Sequence, residues 1–228
     1  MTRDEERRGG GGPPAGQPAE VVRRAWRGLC PREDAVTRAV LADLVARWSE
    51  PHRRYHDLTH LAEVLTVLPR LPKGNAVPVR LAALFHDAVY RPDVAGTANE
   101  EASAVLLERL APGCGFGPAT VTEAVRLVLL TAGHAPHAGD VNGAALCDAD
   151  LAILAAPPMR YLDYASGVRA EYAHVDGKTF ASGRAAVLRD LEARRPLFAT
   201  EYGQREFEAV ARSNIARELS MLTTGRQP

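Results

Sequence analysis

Apolar residues return every three or four positions through almost the whole chain, which is the period of an α-helix and not of a strand. In Asp34 to Trp48, the residues Val36, Val40, Leu41, Leu44, Val45 and Trp48 form one stripe. Val21 to Leu29 and Leu58 to Leu68 repeat the pattern, and Pro69 and Pro72 end the latter. Pro78 stands near the start of the next helix, which runs on to the pair His86-Asp87. Thr97 is placed to cap a helix from Ala98 to Leu110, with Glu100 and Glu101 in its first turn, where the helix dipole favours acids. Further helices are expected over Thr120 to Leu130, Ala144 to Ala155, Met159 to His174, Ser182 to Arg194 and Glu201 to Leu222. The Gly/Pro loop Pro112 to Pro118, the polar loop Thr131 to Asn142 and the pair Pro157-Pro158 separate them. Neither a β-hairpin signal nor an internal repeat appears. The expected fold is all-α, a single helical bundle of about eight to ten helices over residues 19–228, behind a flexible tail over residues 1–18.

A chain of 228 residues is long enough for one sizeable core. Its 28 basic and 28 acidic residues cancel, so no long-range field draws it to nucleic acid or to an anionic membrane, and neither partner is expected. The three cysteines, Cys30, Cys114 and Cys147, form no CxxC pair; they suit a reducing compartment and small buried positions. No apolar run approaches the roughly 18 residues of a membrane span. The first eight residues, followed by Gly9 to Gly12 and Pro13-Pro14, lack the apolar stretch of a signal peptide, so a cytoplasmic location is expected.

The pair His86-Asp87 is anomalous in this setting. It ends the apolar run Leu81 to Phe85, and burying a charge is costly unless it is paired or bound to metal. Two other segments offer similar groups near helix ends: His60 opens one helix, and Asp148 and Asp150 lie at the start of another. A bundle can bring such residues together in its core. Imidazoles mixed with carboxylates suit Mn²⁺, Fe²⁺, Co²⁺, Ni²⁺ or Zn²⁺, whereas Ca²⁺ and Mg²⁺ prefer all-oxygen shells.

The order His60, then His86-Asp87, then Asp150 resembles the HD-domain superfamily of metal-dependent phosphohydrolases. Four segments are similar to those of a small bacterial group of predicted HD phosphohydrolases: Tyr55-His56-Asp57-Leu58-Thr59-His60, Phe85-His86-Asp87-Ala88-Val89-Tyr90, Asn99-Glu100-Glu101-Ala102-Ser103-Ala104, and Asp148-Ala149-Asp150-Leu151-Ala152-Ile153-Leu154. The resemblance implies a helical HD bundle and a divalent transition metal held by His60, His86, Asp87 and Asp150. Asp150 is preferred to Asp148 because the family's last Asp directly precedes an apolar helix; Asp148 is left as a helix cap. The implied activity is hydrolysis of a small phosphorylated molecule, a nucleotide being one candidate, by water that the metal activates.

Other residues receive roles on the same basis. Asp87, Glu100 and Glu101 are the candidates for proton handling, with Asp57 as a further option. HD 5′-nucleotidases carry a Glu shortly after the doublet, where this chain has Tyr90, and that departure counts against a nucleotidase in particular. His56, Arg54, Tyr90, His134 and Arg169 are the candidates for substrate contact, with Arg53 and Arg91 as further arginines able to clamp phosphate. Two other classes stay open: a nucleotide-binding regulatory domain without turnover, and a di-iron oxygenase drawing extra ligands from His52, His56, His134, His137 and His174. The last helix, with Phe207, Val210, Ile215, Leu219 and Leu222, is expected to serve in packing or as the seam of a homodimer.

Overall fold

A computed structural model describes residues 17–224, and among them every regular element is helical. The α-helices are α1 (Gln17–Arg27), α2 (Ala35–Arg47), α3 (Leu58–Val67), α4 (Val77–Phe85), α5 (Ala98–Leu110), α6 (Pro118–Leu130), α7 (Val141–Leu151), α8 (Pro158–Glu171), α9 (Gly177–Ala193), α10 (Glu201–Glu206) and α11 (Glu208–Thr223). Short 3₁₀ turns lie at Leu68–Arg70, Pro112–Cys114 and Ala152–Ala155. Gln17 and Pro18, which the composition assigns to the tail, already belong to α1, and the rest of that tail lies outside the described residues. Among the described residues no helix is long and apolar enough to cross a membrane.

Several helix starts follow local chemistry. Asp34 and Thr37 form a reciprocal capping box on α2, and Asp57, Asp140 and Asp176 cap α3, α7 and α9. Thr97 does not cap α5. Its hydroxyl donates to Glu101 at 2.7 Å, so Glu101 is spent on the exposed helix start. The expected helix Glu201 to Leu222 is broken at Phe207 into α10 and α11.

Two apolar cores meet at the future site. The larger is built by α1 to α7 around α4, whose residues Val79, Leu81, Ala82, Ala83, Leu84 and Phe85 are all buried. An all-round apolar helix can only be central. The smaller core joins Tyr55 to Leu154 and to residues of α8, α9 and α11, including Tyr161, Tyr164, Val168, Leu188, Ala211 and Ile215. The Ile215 face of α11 is therefore used inside the chain, and Asn214 on it donates to the carbonyls of Leu154 and Ala156, both at 2.9 Å.

α8 approaches the segment Arg54–His56 at a glycine. A Cβ on Gly167 would stand 2.8 Å from the Arg54 carbonyl oxygen and 3.1 Å from Tyr55 Cβ. Gly167→Ala is expected to destabilise the fold by about 1–3 kcal/mol, the usual cost of overpacking. A lowered urea midpoint at unchanged slope would show it; an unchanged midpoint would mean that the two backbones part freely.

Candidate metal centre

Three helices deliver the motif residues to one point. Asp57 caps α3 through the amides of Thr59 and His60 (2.7 and 3.2 Å), which fixes His60 in the first turn. His86 is the residue that closes α4, and Asp87 follows it in the turn. Asp150 sits next to the C-terminal residue of α7, whereas the sequence suggested the start of a helix. His60, His86 and Asp150 each bring one ligand-type atom, and these atoms all lie within 4.8 Å of one another. The two Nε2 atoms are 3.2 Å apart, and Asp150 Oδ1 lies 3.0 Å from that of His60 and 3.6 Å from that of His86. Asp87 Oδ2 stands 3.4 Å from His86 Nε2, at the edge of the group.

Hydrogen bonding around the rings suits a cation. His86 Nδ1 faces the Ala83 carbonyl at 2.8 Å, and a carbonyl only accepts, so Nδ1 carries the proton and the lone pair of a neutral ring is at Nε2. His60 Nδ1 is 3.0 Å from the Tyr55 hydroxyl, which leaves its Nε2 toward the same point. Two imidazole edges and two carboxylates facing one another at these distances need positive charge among them. Without metal, a proton serves: burial alone would lower the pKa of His86, but Asp87 and Asp150 outweigh it and push the value up to about 9. Burial raises Asp150, and the rings of His86, His134 and His60 more than reverse this, holding it well below the usual carboxylate range. The donor set fits a divalent transition metal. Behind it, the Trp48 ring packs on both imidazoles and anchors its Nε1–H on the Leu84 carbonyl at 3.1 Å.

Asp87 and Asp150 line a cleft of about 660 Å³, beside which the two histidines are buried. His134, a left-handed residue at φ 46°, lines it and donates from Nε2 to Asp150 Oδ2 at 2.7 Å. Glu100 lines it as well, and its Oε2 is buried without a hydrogen-bond partner among the described residues. Burial and the nearby Asp87 raise the pKa of Glu100. His56 and Tyr90 stack on each other at 4.3 Å between ring centres on another wall. Both are tied to Glu171, to which the His56 Nδ1–H donates at 2.7 Å and the Tyr90 hydroxyl at 2.9 Å. The other oxygen of Glu171 accepts the amides of Arg54, Tyr55 and His56 at 2.8, 2.8 and 2.9 Å.

Several sequence-derived candidates go elsewhere. Arg54 is exposed and lies outside the cleft lining. Arg169 donates to the carbonyls of Tyr172 and Val175, finishing α8. Arg91 is paired with Asp93 on the surface, and Asp57 serves as a cap. Arg53 is buried under the site, where it donates to the carbonyls of His56, Asp87 and Ala88. Asp148 caps no start of its own helix; from inside α7 it accepts the amides of Ala199 and Thr200, both at 2.8 Å, and secures the start of α10. His52 and His137 bond to the carbonyls of Tyr90 and Ala138, and His174 stacks on Tyr172. The residues that sequence reasoning missed are Glu171, Arg184 and Arg194. The last two line the cleft from α9 and its end.

Two outcomes follow. In metal titrations by calorimetry, His86→Ala and Asp150→Ala are expected to cost more than the roughly 10–100-fold typical of an outer-shell change; binding within that range would remove these residues from the ligand set. Burial raises the Glu171 carboxyl, but His56 and the backbone amides outweigh it and bring its pKa down to about 2 from 4.5. A depressed folded-state pKa means that its stabilisation is complete above about 4.5 and lost as pH falls through about 2. Urea melts from pH 6 to 2 are therefore expected to show an acid limb on the order of 2–3 kcal/mol shallower in Glu171→Gln; parallel limbs would contradict this. Comparison of the chain with protein-family models, curated proteins and solved structures finds no significant match to any of them.

Proposed function

We propose that this chain is a metal-dependent phosphohydrolase acting on a small phosphorylated molecule. The observation that carries the reading is the convergence of His60, His86 and Asp150, with Asp150, Asp87 and Glu100 lining the cleft beside the two buried histidines. The order of these residues in the chain resembles that of the HD phosphohydrolases, which supports the same reaction. A divalent cation bound there supplies a Lewis acid that polarises a phosphoryl oxygen and makes water a better nucleophile.

The chain's own residues supply the proton transfers. Glu100 is suited to take the proton of the attacking water at Oε2, because that atom is buried, unpartnered and raised in basicity. His56 is suited to give a proton to the leaving oxygen. Its Nδ1–H is committed to Glu171, which orients the ring and leaves Nε2 toward the cleft. The buried, ionised Glu171 also favours the protonated ring, whose pKa is raised against the effect of burial. Tyr90 packs against His56 and keeps it from rotating. Asp87 and His134 hold the centre from its two sides.

Purified protein loaded in turn with Mn²⁺, Fe²⁺, Co²⁺, Ni²⁺ or Zn²⁺ is expected to release phosphate from simple phosphoesters, and His86→Ala to lose this together with bound metal. Binding of nucleotides with no product would instead identify a regulatory domain. His56→Gln is expected to slow hydrolysis of ethyl phosphate by roughly 10²–10⁴-fold. It should slow 4-nitrophenyl phosphate, whose leaving group needs no proton, far less. An equal loss on both esters would leave His56 without a role as proton donor.

A further inference from the structure

Two features of the cleft beside the metal centre bear on which phosphorylated molecule it takes. The first is its charge. Asp87, Glu100 and Asp150 line it, and among the described residues no arginine or lysine is bound to any of them. Among the described residues two arginines, Arg184 and Arg194, line the cleft, and both are committed. Arg184 donates to the two oxygens of Glu218 at 2.8 and 3.1 Å and to the Tyr164 hydroxyl at 2.9 Å. Arg194 donates to the carbonyls of His134 and Gly133 and to Asp190 at 2.9, 3.1 and 2.7 Å. No lysine lines the cleft. One phosphoryl group can be neutralised at the metal, but a second or third finds no uncommitted cationic side chain among the described lining residues.

The second feature is the apolar part of its lining. Val94, Leu151, Ile153, Ala186 and Val187 form it, with Tyr172. Val94 and Val187 are 41% and 53% exposed, although most large aliphatic residues of this chain are buried. Exposed apolar side chains lining a concave site beside a few polar groups are the usual composition of a small-molecule pocket.

Building on the phosphohydrolase reading, we infer that the substrate is a phosphomonoester of an apolar or aromatic alcohol, and that this cleft selects against di- and triphosphates. The phosphoryl group would sit at a metal held by His60, His86, Asp87 and Asp150, and the organic group against the apolar lining to which Val94 and Val187 belong. In the reaction a water oxygen bonds to phosphorus as the phosphorus–oxygen bond to the alcohol breaks. That bond's electron pair stays on the leaving oxygen, which takes the proton from His56, while Glu100 takes the water's proton. The products are the free alcohol and inorganic phosphate.

The test uses the full chain loaded with Mn²⁺. Benzyl and methyl phosphate have comparable leaving groups and differ in apolar area; adenosine mono-, di- and triphosphate differ in charge. Benzyl phosphate is expected to exceed methyl phosphate in kcat/KM by roughly 10–200-fold, and each added phosphate to lower kcat/KM. Benzylphosphonate should bind more tightly than methylphosphonate by calorimetry, a readout independent of turnover. Val187→Asp, at an exposed position, is expected to shrink the benzyl-to-methyl ratio with bound metal retained. A triphosphate used as well as the monophosphate, or a ratio near one in the unmodified protein, overturns the inference while phosphohydrolysis stands. A benzyl-to-methyl ratio unmoved in Val187→Asp overturns the assigned apolar lining. If no ester is hydrolysed, both readings fall together.

Discussion

Glu171 holds the site together. A carboxylate this deeply buried would be strongly destabilising alone, yet it meets five donors: three successive amides, an imidazole N–H and a phenol. Every one belongs to Arg54–His56 or to Tyr90, so one side chain on α8 fixes the segment before α3 and the residue that closes the second motif. The apolar cores set the helices roughly; this cluster sets the rings. Gly167, one turn earlier on α8, removes the Cβ that would hold the two backbones apart.

The geometry of helices explains why the candidate metal ligands sit where they do. Adjacent residues inside an α-helix point about 100° apart, so a His-Asp doublet within a helix cannot aim both side chains at one point. Here α4 ends at Phe85, His86 closes it and Asp87 lies in the turn, where the backbone is free to bring the carboxylate back toward the imidazole. Asp148 and Asp150 present the complementary case. Two residues apart on α7, they point about 200° from one another, one toward the backbone that starts α10 and the other toward the two histidines.

Much of this was legible in the sequence. The helical period marked nearly every element, and boundaries slipped only where caps and 3₁₀ turns, which have no period, decide them. Ligand-type residues at helix ends are unusual in apolar surroundings, which singled out His60, His86-Asp87 and the pair Asp148/Asp150; the choice of Asp150 between the last two rested on the HD resemblance. The arginines were not legible. Arg53, Arg91 and Arg169 spend their donors on carbonyls or carboxylates, most of them close in sequence, and the pattern of charges in a sequence does not distinguish such an arginine from one that faces a ligand. Glu171 was hidden for the opposite reason: its partners lie 81 to 117 residues away, and an acid at the end of a helix reads as an ordinary surface group.

Arg53 has a consequence of its own. Its guanidinium reaches the carbonyls of His56 in the first motif and of Asp87 and Ala88 in the second, while its face lies over the rings of Trp48 and Tyr90. The acceptors are backbone atoms, so the contact is indifferent to which side chains those positions carry. It registers main chain against main chain. Segments 34 residues apart in sequence thus behave as one mechanical part, and the side chains on them are free to change chemistry without the frame that aims them coming loose.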